Sequence, residues 1–239
     1  MKKILCLLFA VVLTISAVVF AGCSKEETKS SKASSSKAKS SAASQVETIT
    51  PEPMSSEMQA VADKLAIKEY RCTGMEYEFI IFVVTNKSVK DCGLSVIVNF
   101  YDKDKNIVDC QQEDINAVGA GETACVAVYA NEKFDSYTYD FVASELTNYE
   151  AITKDLKLTV KEKDPKIEYS VTNNGDKTAC FTEVCTLFFK GNEIYDFDKS
   201  YVGDDNSEIA PGATETKEVF NSNGTDRYEY YMNSYAEVK

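Results

Sequence analysis

The feature that most constrains the fold is an internal repeat. The tripeptide Val-Thr-Asn occurs at residues 84–86 and again at 171–173, an offset of 87. The segment 92–101 then aligns without a gap on 180–189, an offset of 88. Because several short matches follow in the same order with a slowly drifting offset, the same domain fold is expected twice.

Within each copy, apolar residues recur at every second position over short stretches. Leu94, Val96 and Val98 lie on one side of such a stretch, and residues 124–129 repeat the pattern. A period of two indicates β-strands with one face turned inward. The predicted strands of the first copy are 66–72, 77–85, 93–101, 106–114, 122–130 and 137–143, and the second copy repeats them from about 156 to 238. The sequence therefore predicts an all-β fold of two small tandem sandwiches, over 54–148 and 149–239.

The N-terminal segment is typical of an export signal. Lys2 and Lys3 precede an apolar stretch, Ile4–Phe20, that ends in Ala21-Gly22-Cys23. This ending resembles the lipobox of bacterial lipoprotein signal peptides, whose cysteine carries a diacylglyceryl group.

The lipobox resemblance implies a signal peptide over 1–22, lipidation at Cys23 and an extracytoplasmic chain anchored to the cell membrane at the bacterial cell surface. An uncleaved transmembrane helix over Ile4–Gly22 is the alternative, because that stretch is almost long enough to span a bilayer. Both alternatives place the remaining chain outside the cytoplasm.

Residues 23–53 are predicted to be a disordered tether. Ser24–Pro53 is rich in Ser, Lys, Ala, Thr and Glu and contains no aromatic residue. Such a segment cannot bury enough apolar surface to offset its conformational entropy. A solvated spacer and a contact between its lysines and anionic headgroups or wall polymer both fit this composition.

The charge and the missing residue types exclude several functions. The net charge of -12 opposes binding to nucleic acid, whose affinity comes from Lys and Arg on phosphates. The chain has no histidine, which removes Ser-His-Asp and Cys-His catalysis and histidine metal sites. Carboxylate pairs could hydrolyse a glycosidic bond, but no pair stands out. We therefore expect no enzyme, no catalytic residue, no metal site and no cofactor.

One segment imitates a calcium-binding loop. Asp102, Asp104 and Asn106, followed by Glu113, have the spacing of EF-hand ligands. Ile107 stands where that loop needs glycine, and residues 106–114 already form a predicted strand. A plain β-turn is the expected structure.

Six cysteines follow Cys23, and export would permit disulfide bonds between them. Cys180 and Cys185 lie on one predicted strand, about 16 Å apart, so they cannot bond to each other. Cys72 and Cys125 are the candidate disulfide, since the second copy has Thr159 and Thr216 in their places. Buried thiols that serve as small core residues are the alternative.

A family resemblance follows from the first copy. Its Val-Thr-Asn, the motif Phe100-Tyr101-Asp102 and the turn at Gly119–Thr123 are similar to FxLYD-type immunoglobulin-like domains of bacterial surface proteins. The second copy has Phe188-Phe189-Lys190 at the motif, so its membership follows from the internal repeat. The resemblance implies an immunoglobulin-like sandwich and a surface location.

Two tyrosines of the last strand are predicted to bind a partner. Tyr228 and Tyr230 match tyrosines of the first copy and are expected to face inward. Strand alternation then turns Tyr231 and Tyr235 to the opposite face, where tyrosine is favoured at interfaces. The alternative is that these rings cover the end of the sheet or pack on the seam between the two copies.

The combined expectation is a surface lipoprotein that presents two β-sandwiches for non-catalytic binding of an envelope or extracellular partner. An envelope protein and a cell-wall polymer are the candidate partners, beside the membrane held through the lipid. A passive structural or spacer lipoprotein is the second hypothesis, and an unidentified hydrolase is the third.

Overall fold

The structure is a computed structural model that describes residues 46, 48–73, 78–221 and 224–238. The predicted signal peptide, Cys23 and most of the predicted tether lie outside the described residues. Within the described part of the chain, no helix combines the length and the apolar character needed to cross a bilayer.

The described residues are mostly β-structure, and the predicted all-β fold class is confirmed. A short 3-10 turn, Thr153–Asp155, connects the two halves. The elements in chain order are α1 (Ser56–Ala62), β1 (Leu65–Cys72), β2 (Phe79–Asn86), β3 (Cys92–Tyr101), β4 (Ile107–Val118), β5 (Thr123–Tyr129), β6 (Ser136–Ser144), β7 (Tyr149–Ala151), β8 (Leu156–Lys163), β9 (Lys166–Asn173), β10 (Ala179–Lys190), β11 (Glu193–Val202), β12 (Glu208–Ile209), β13 (Thr214–Phe220) and β14 (Arg227–Glu237).

The strands form two tandem sandwiches of antiparallel sheets. In the first half, the sheet β1-β2-β5 packs on the sheet β4-β3-β6. In the second half, the sheet β11-β10-β14-β7, with β12 beside β10, packs on the sheet β13-β9-β8. We call β1-β2-β5 and β11-β10-β14-β7 the inner sheets, because they face each other, and the remaining two the outer sheets.

Each half has its own apolar core. Strand β2 sends Ile80, Phe82 and Val84 into the first core, where all three are fully buried. Strand β10 sends Val184 and Phe188 into the second. The predicted domain boundaries, 54–148 and 149–239, remain a prediction about independent folding.

A third apolar cluster, which we call the seam, joins the two inner sheets. The intervening residues of β2, Ile81 and Val83, point away from the first core and into this cluster. The buried members of the seam are Cys72, Ile81, Val83, Cys125, Cys185, Leu187, Phe189 and Ile194. Strands β2 and β10 are therefore buried on both faces, because the other half covers their second face.

A buried asparagine closes each sandwich in the same way. Asn86 and Asn173 are the Asn residues of the repeated Val-Thr-Asn, and both are fully buried. The Nδ2 of Asn173 donates to the carbonyl oxygens of Lys177 and Ile209, each at 2.8 Å. Its Oδ1 accepts from the backbone N–H of Gly175 at 2.9 Å.

Asn86 makes the equivalent bonds in the first half. Its Nδ2 donates to the carbonyl oxygens of Lys90 at 2.9 Å and Val118 at 3.2 Å. The repeat thus preserves a buried side chain that hydrogen-bonds two backbone carbonyl groups in each half.

We predict that Asn173→Ala lowers the free energy of unfolding by about 3 kcal/mol, because it leaves two carbonyl groups and one N–H without partners. Urea denaturation measures this change. The neighbouring Asn174 has an exposed side chain, so Asn174→Ala should change stability by less than about 0.5 kcal/mol. A loss below about 1 kcal/mol for Asn173→Ala would contradict the structural role of this side chain.

Candidate functional site

The two tyrosines predicted to bind a partner lie on the seam side of the second inner sheet. Tyr231 packs against the seam, and its hydroxyl donates to Oε2 of Glu229 at 2.6 Å. Burial, together with the Glu229 carboxylate, raises the pKa of Tyr231. Tyr235 is 9% exposed, and its ring centroid lies 4.6 Å from that of Tyr149.

The assignment of Tyr231 and Tyr235 to an open surface is therefore corrected. Strand alternation placed them correctly on the face opposite Tyr228 and Tyr230, which pack on the second core. The first half covers most of that face, so little of it meets water. Tyr231 packs on the seam, and Tyr235 packs in a separate buried cluster with Ala117, Ala151 and Cys180.

The structure does not bring Cys72 and Cys125 together. Cys72 lies opposite Phe79 of β2, and Cys125 lies opposite Val83 from the other side of that strand. Their Cα atoms are two strand spacings apart across the sheet and four residues apart along it, which gives a distance of roughly 16 Å. A disulfide needs less than about 7 Å, so this candidate pair is corrected. The Sγ of Cys125 instead lies 2.9 Å from that of Cys185.

A cleft opens where the two halves meet, beside the seam. Its volume is about 190 Å³, and strands of both halves line it. Asp114 and Asn116 of β4 come from the first half. The second half contributes the side chains of Phe181, Glu183, Lys199, Tyr201, Asn233 and Tyr235.

A β-bulge in β10 places Phe181 at this cleft. The pairing of β10 with β14 shifts register between Cys180 and Glu183. Phe181 lies in the bulge with φ 46°, a left-handed conformation that disfavours phenylalanine. Its N–H donates to the carbonyl oxygen of Ser207 at 2.8 Å, which helps to hold the bulge. Strained residues of this kind concentrate at functional sites.

Three rings line the cleft as a continuous row. Phe181 lies between Tyr201 and Tyr235, with centroid distances of 6.1 Å and 6.2 Å. Phe181 is 47% exposed and Tyr201 is 48% exposed. The row therefore offers two half-exposed aromatic faces, supported from beneath by the buried ring of Tyr235.

A salt bridge lies beside these rings. Nζ of Lys199 is 3.1 Å from Oε2 of Glu183. Burial alone would lower the pKa of Lys199, but the Glu183 carboxylate outweighs it and the pKa is raised. Burial raises the pKa of Glu113, which lies near this pair, although Lys199 partly offsets the effect.

The first half also fixes part of the cleft by hydrogen bonding. Nδ2 of Asn233 donates to the carbonyl oxygen of Ala117 at 2.8 Å, across the boundary between the halves. A second bond across it joins the N–H of Lys154 to Oε1 of Glu122 at 2.9 Å. The cleft is thus built by the docking of two sandwiches and belongs to neither alone.

The calcium-like segment forms a turn, as expected. Oδ1 of Asp102 accepts from the backbone N–H groups of Asp104 and Asn106, at 2.8 Å and 2.9 Å. Glu113 lies six positions along β4 from Ile107, roughly 20 Å up the strand. Among the residues that the structure describes, no group of three or more His, Cys, Asp or Glu is arranged to hold a metal ion.

Sequence reasoning missed Phe181, Glu183, Lys199 and Tyr201. The sequence did contain one indication that Phe181 is unusual. The ungapped alignment of the two copies places Phe181 opposite Gly93. A large ring in the place of a glycine indicates a local change of backbone and surface. The convergence of β10 with β4 could not be inferred, because it depends on how the halves dock.

Comparison with known proteins identifies no family for the chain. No family model matches the chain. No curated protein matches it. Among solved structures it is similar to the crystal structure of red sea bream transglutaminase, with 12% identity and a TM-score of 0.23. That likeness covers 71% of this chain and 29% of the transglutaminase chain, so the chain spans less than a third of that structure.

Proposed function

We propose that the chain is a membrane-anchored surface lipoprotein whose paired β-sandwiches bind an envelope glycan without catalysis. The proposed ligand class rests on the cleft between the halves. There the half-exposed rings of Phe181 and Tyr201 lie beside the Glu183–Lys199 salt bridge. Such a protein would hold a cell-wall polymer close to the membrane.

The side chains of the cleft suit a sugar ring. The C–H face of a sugar ring packs well on an aromatic face, and its hydroxyl groups bond to carboxylates, amides and ammonium groups. The cleft supplies these groups through Asp114, Asn116, Glu183 and Lys199. Its 190 Å³ is below the roughly 300–1,000 Å³ of drug-sized sites, so it would hold one ring of a longer polymer.

The lipobox-like ending at Cys23 supports the anchored location. Two acyl chains give stable membrane attachment where one is marginal. A tether of thirty residues from Ser24 to Pro53 would average roughly 30 Å end to end and reach about 100 Å at full stretch. That reach would let the sandwiches sample polymer near the membrane.

The absence of enzyme activity is part of this proposal. The cleft has no histidine to act as a base, since the chain contains none. Its carboxylate at Glu183 is engaged in a salt bridge with Lys199.

We predict that Cys23→Ser abolishes the incorporation of labelled fatty acid and releases the chain from the membrane fraction. Cys6→Ser is the matched control, because it changes the other cysteine of the predicted signal segment and should leave both properties intact. Equal labelling of the Cys23→Ser variant and the parent would refute the lipoprotein proposal.

We predict that a soluble chain beginning at Ser24 binds oligosaccharides released from purified cell wall, as measured by calorimetry. Phe181→Gly and Tyr201→Ala should each weaken binding at least about tenfold, which corresponds to about 1.4 kcal/mol. Glycine suits the positive φ of residue 181, so Phe181→Gly removes the ring without backbone strain.

Phe220→Ala is the control for the loss of an exposed ring. Phe220 is 74% exposed on β13 of the second outer sheet and does not line the cleft. This variant should bind like the parent. If wall oligosaccharides do not bind to the parent, or if all three variants bind alike, the glycan proposal fails and an envelope protein or a passive spacer role takes its place.

A further inference from the structure

Two cysteines from different halves meet inside the seam. Cys125 of β5 and Cys185 of β10 are 60 positions apart in the chain, yet their sulfur atoms are 2.9 Å apart. Cys125 is 6% exposed and Cys185 is 3% exposed. They are contributed by the two inner sheets, so any bond between them would join one sandwich to the other.

The distance is close to that of a covalent bond. A disulfide has an S–S length of about 2.05 Å, so the two sulfurs need to approach by less than about 1 Å. Sheets that pack face to face bring opposing side chains together in this way, and the apolar neighbours Val83 and Leu187 belong to the same buried cluster.

Two pairings within a single sheet are excluded. Cys180 shares strand β10 with Cys185, five residues away, which is too far along an extended strand. Cys72 lies roughly 16 Å from Cys125 by Cα position. The register of the sheets therefore excludes Cys180 as a partner of Cys185 and Cys72 as a partner of Cys125.

We propose that Cys125 and Cys185 are a modification site, at which export leads to a disulfide that locks the two sandwiches together. This inference rests on the proposed extracytoplasmic location, because disulfides form and persist outside the cytoplasm. The bond would join the two sandwiches covalently across the seam, because each sandwich contributes one of the two cysteines.

The reaction needs an organic disulfide as the oxidant. The sulfur of Cys125 attacks one sulfur of this disulfide, forms a mixed disulfide and displaces a thiolate. Cys185 then attacks the sulfur of Cys125 and displaces the second thiolate. The protons of the two cysteine thiols pass to the two released thiolates, so two cysteines are oxidised and one disulfide is reduced to two thiols.

The cleft determines which cysteine reacts first. Cys125 lines the cleft, whereas Cys185 does not. The adjacent Cys125 sulfur and burial both raise the pKa of the Cys185 thiol well above its usual range, so this thiol keeps its proton while Cys125 is unmodified. Attack on an oxidant therefore starts from Cys125, and Cys185 resolves the mixed disulfide.

The test is peptide mapping of the purified full-length chain after treatment with oxidised glutathione. Trypsin should release the segment 106–133, which holds Cys125, joined to the segment 178–190, which holds Cys185. The first segment also contains Cys110 and the second Cys180, so Cys110→Ala and Cys180→Ala are the matched controls that should retain the link.

Either Cys125→Ala or Cys185→Ala should abolish the link, with circular dichroism confirming that each variant is folded. The oxidised parent should also unfold at a higher urea concentration than the reduced parent, and both alanine variants should lose this shift. Failure of the parent to form the link, or its persistence in the Cys185→Ala variant, would overturn the proposal. A failure of export is recognised separately, because an unexported chain lacks the fatty acid label yet still forms the link with oxidised glutathione.

Discussion

The structure depends on the apolar contact between the two inner sheets. A fully buried aliphatic or aromatic side chain contributes roughly 1.5 to 3 kcal/mol, and the seam buries several from each half. Aromatic contacts extend it at the edges, where the rings of Phe79 and Phe197 meet at 4.8 Å and those of Tyr70 and Phe189 at 5.9 Å. The seam turns two small sandwiches into a stack of four sheets.

The same contact accounts for the candidate site. The cleft exists because β4 of the first half and β10, β11 and β14 of the second converge at the edge of the seam. The bulge at Phe181 interrupts the pairing of β10 with β14 there and holds a half-exposed ring at the cleft. Because both halves line the cleft, a ligand bound in it would stabilise the docked arrangement over a separated one.

Local patterns predicted most of the strands, since apolar alternation and turn residues act over a few positions. The repeat correctly aligned Cys125 with Thr216. Cys125 lies opposite a residue three positions before Asn86, and Thr216 lies opposite a residue three positions before Asn173. The sequence also contained an indication that β2 is covered on both faces. Residues 79–84 of β2 are apolar throughout, whereas β9 alternates strictly, and an uninterrupted apolar strand indicates burial on both faces.

What could not be predicted is the pairing of surfaces between halves. Alternation assigned Tyr231 and Tyr235 to one face, but it cannot say whether water or another sheet lies against that face. The proximity of Cys125 to Cys185 has the same origin, because it follows from docking and not from any spacing in the chain. The cleft residues Glu183 and Lys199 are likewise ordinary strand residues until the first half is placed beside them.

The central claim is that the seam couples the stability of the two halves, and hydrogen exchange in a seam variant tests it most directly. Leu187→Asp buries a charge in the seam from the second half, whereas Thr216→Asp places the same charge on the exposed face of an outer sheet. Under reducing conditions, Leu187→Asp is expected to lower the exchange protection of β2 in the first half as well as that of β10, while Thr216→Asp leaves β2 unchanged. Loss of protection confined to β10, with β2 as protected as in the parent, would contradict the account.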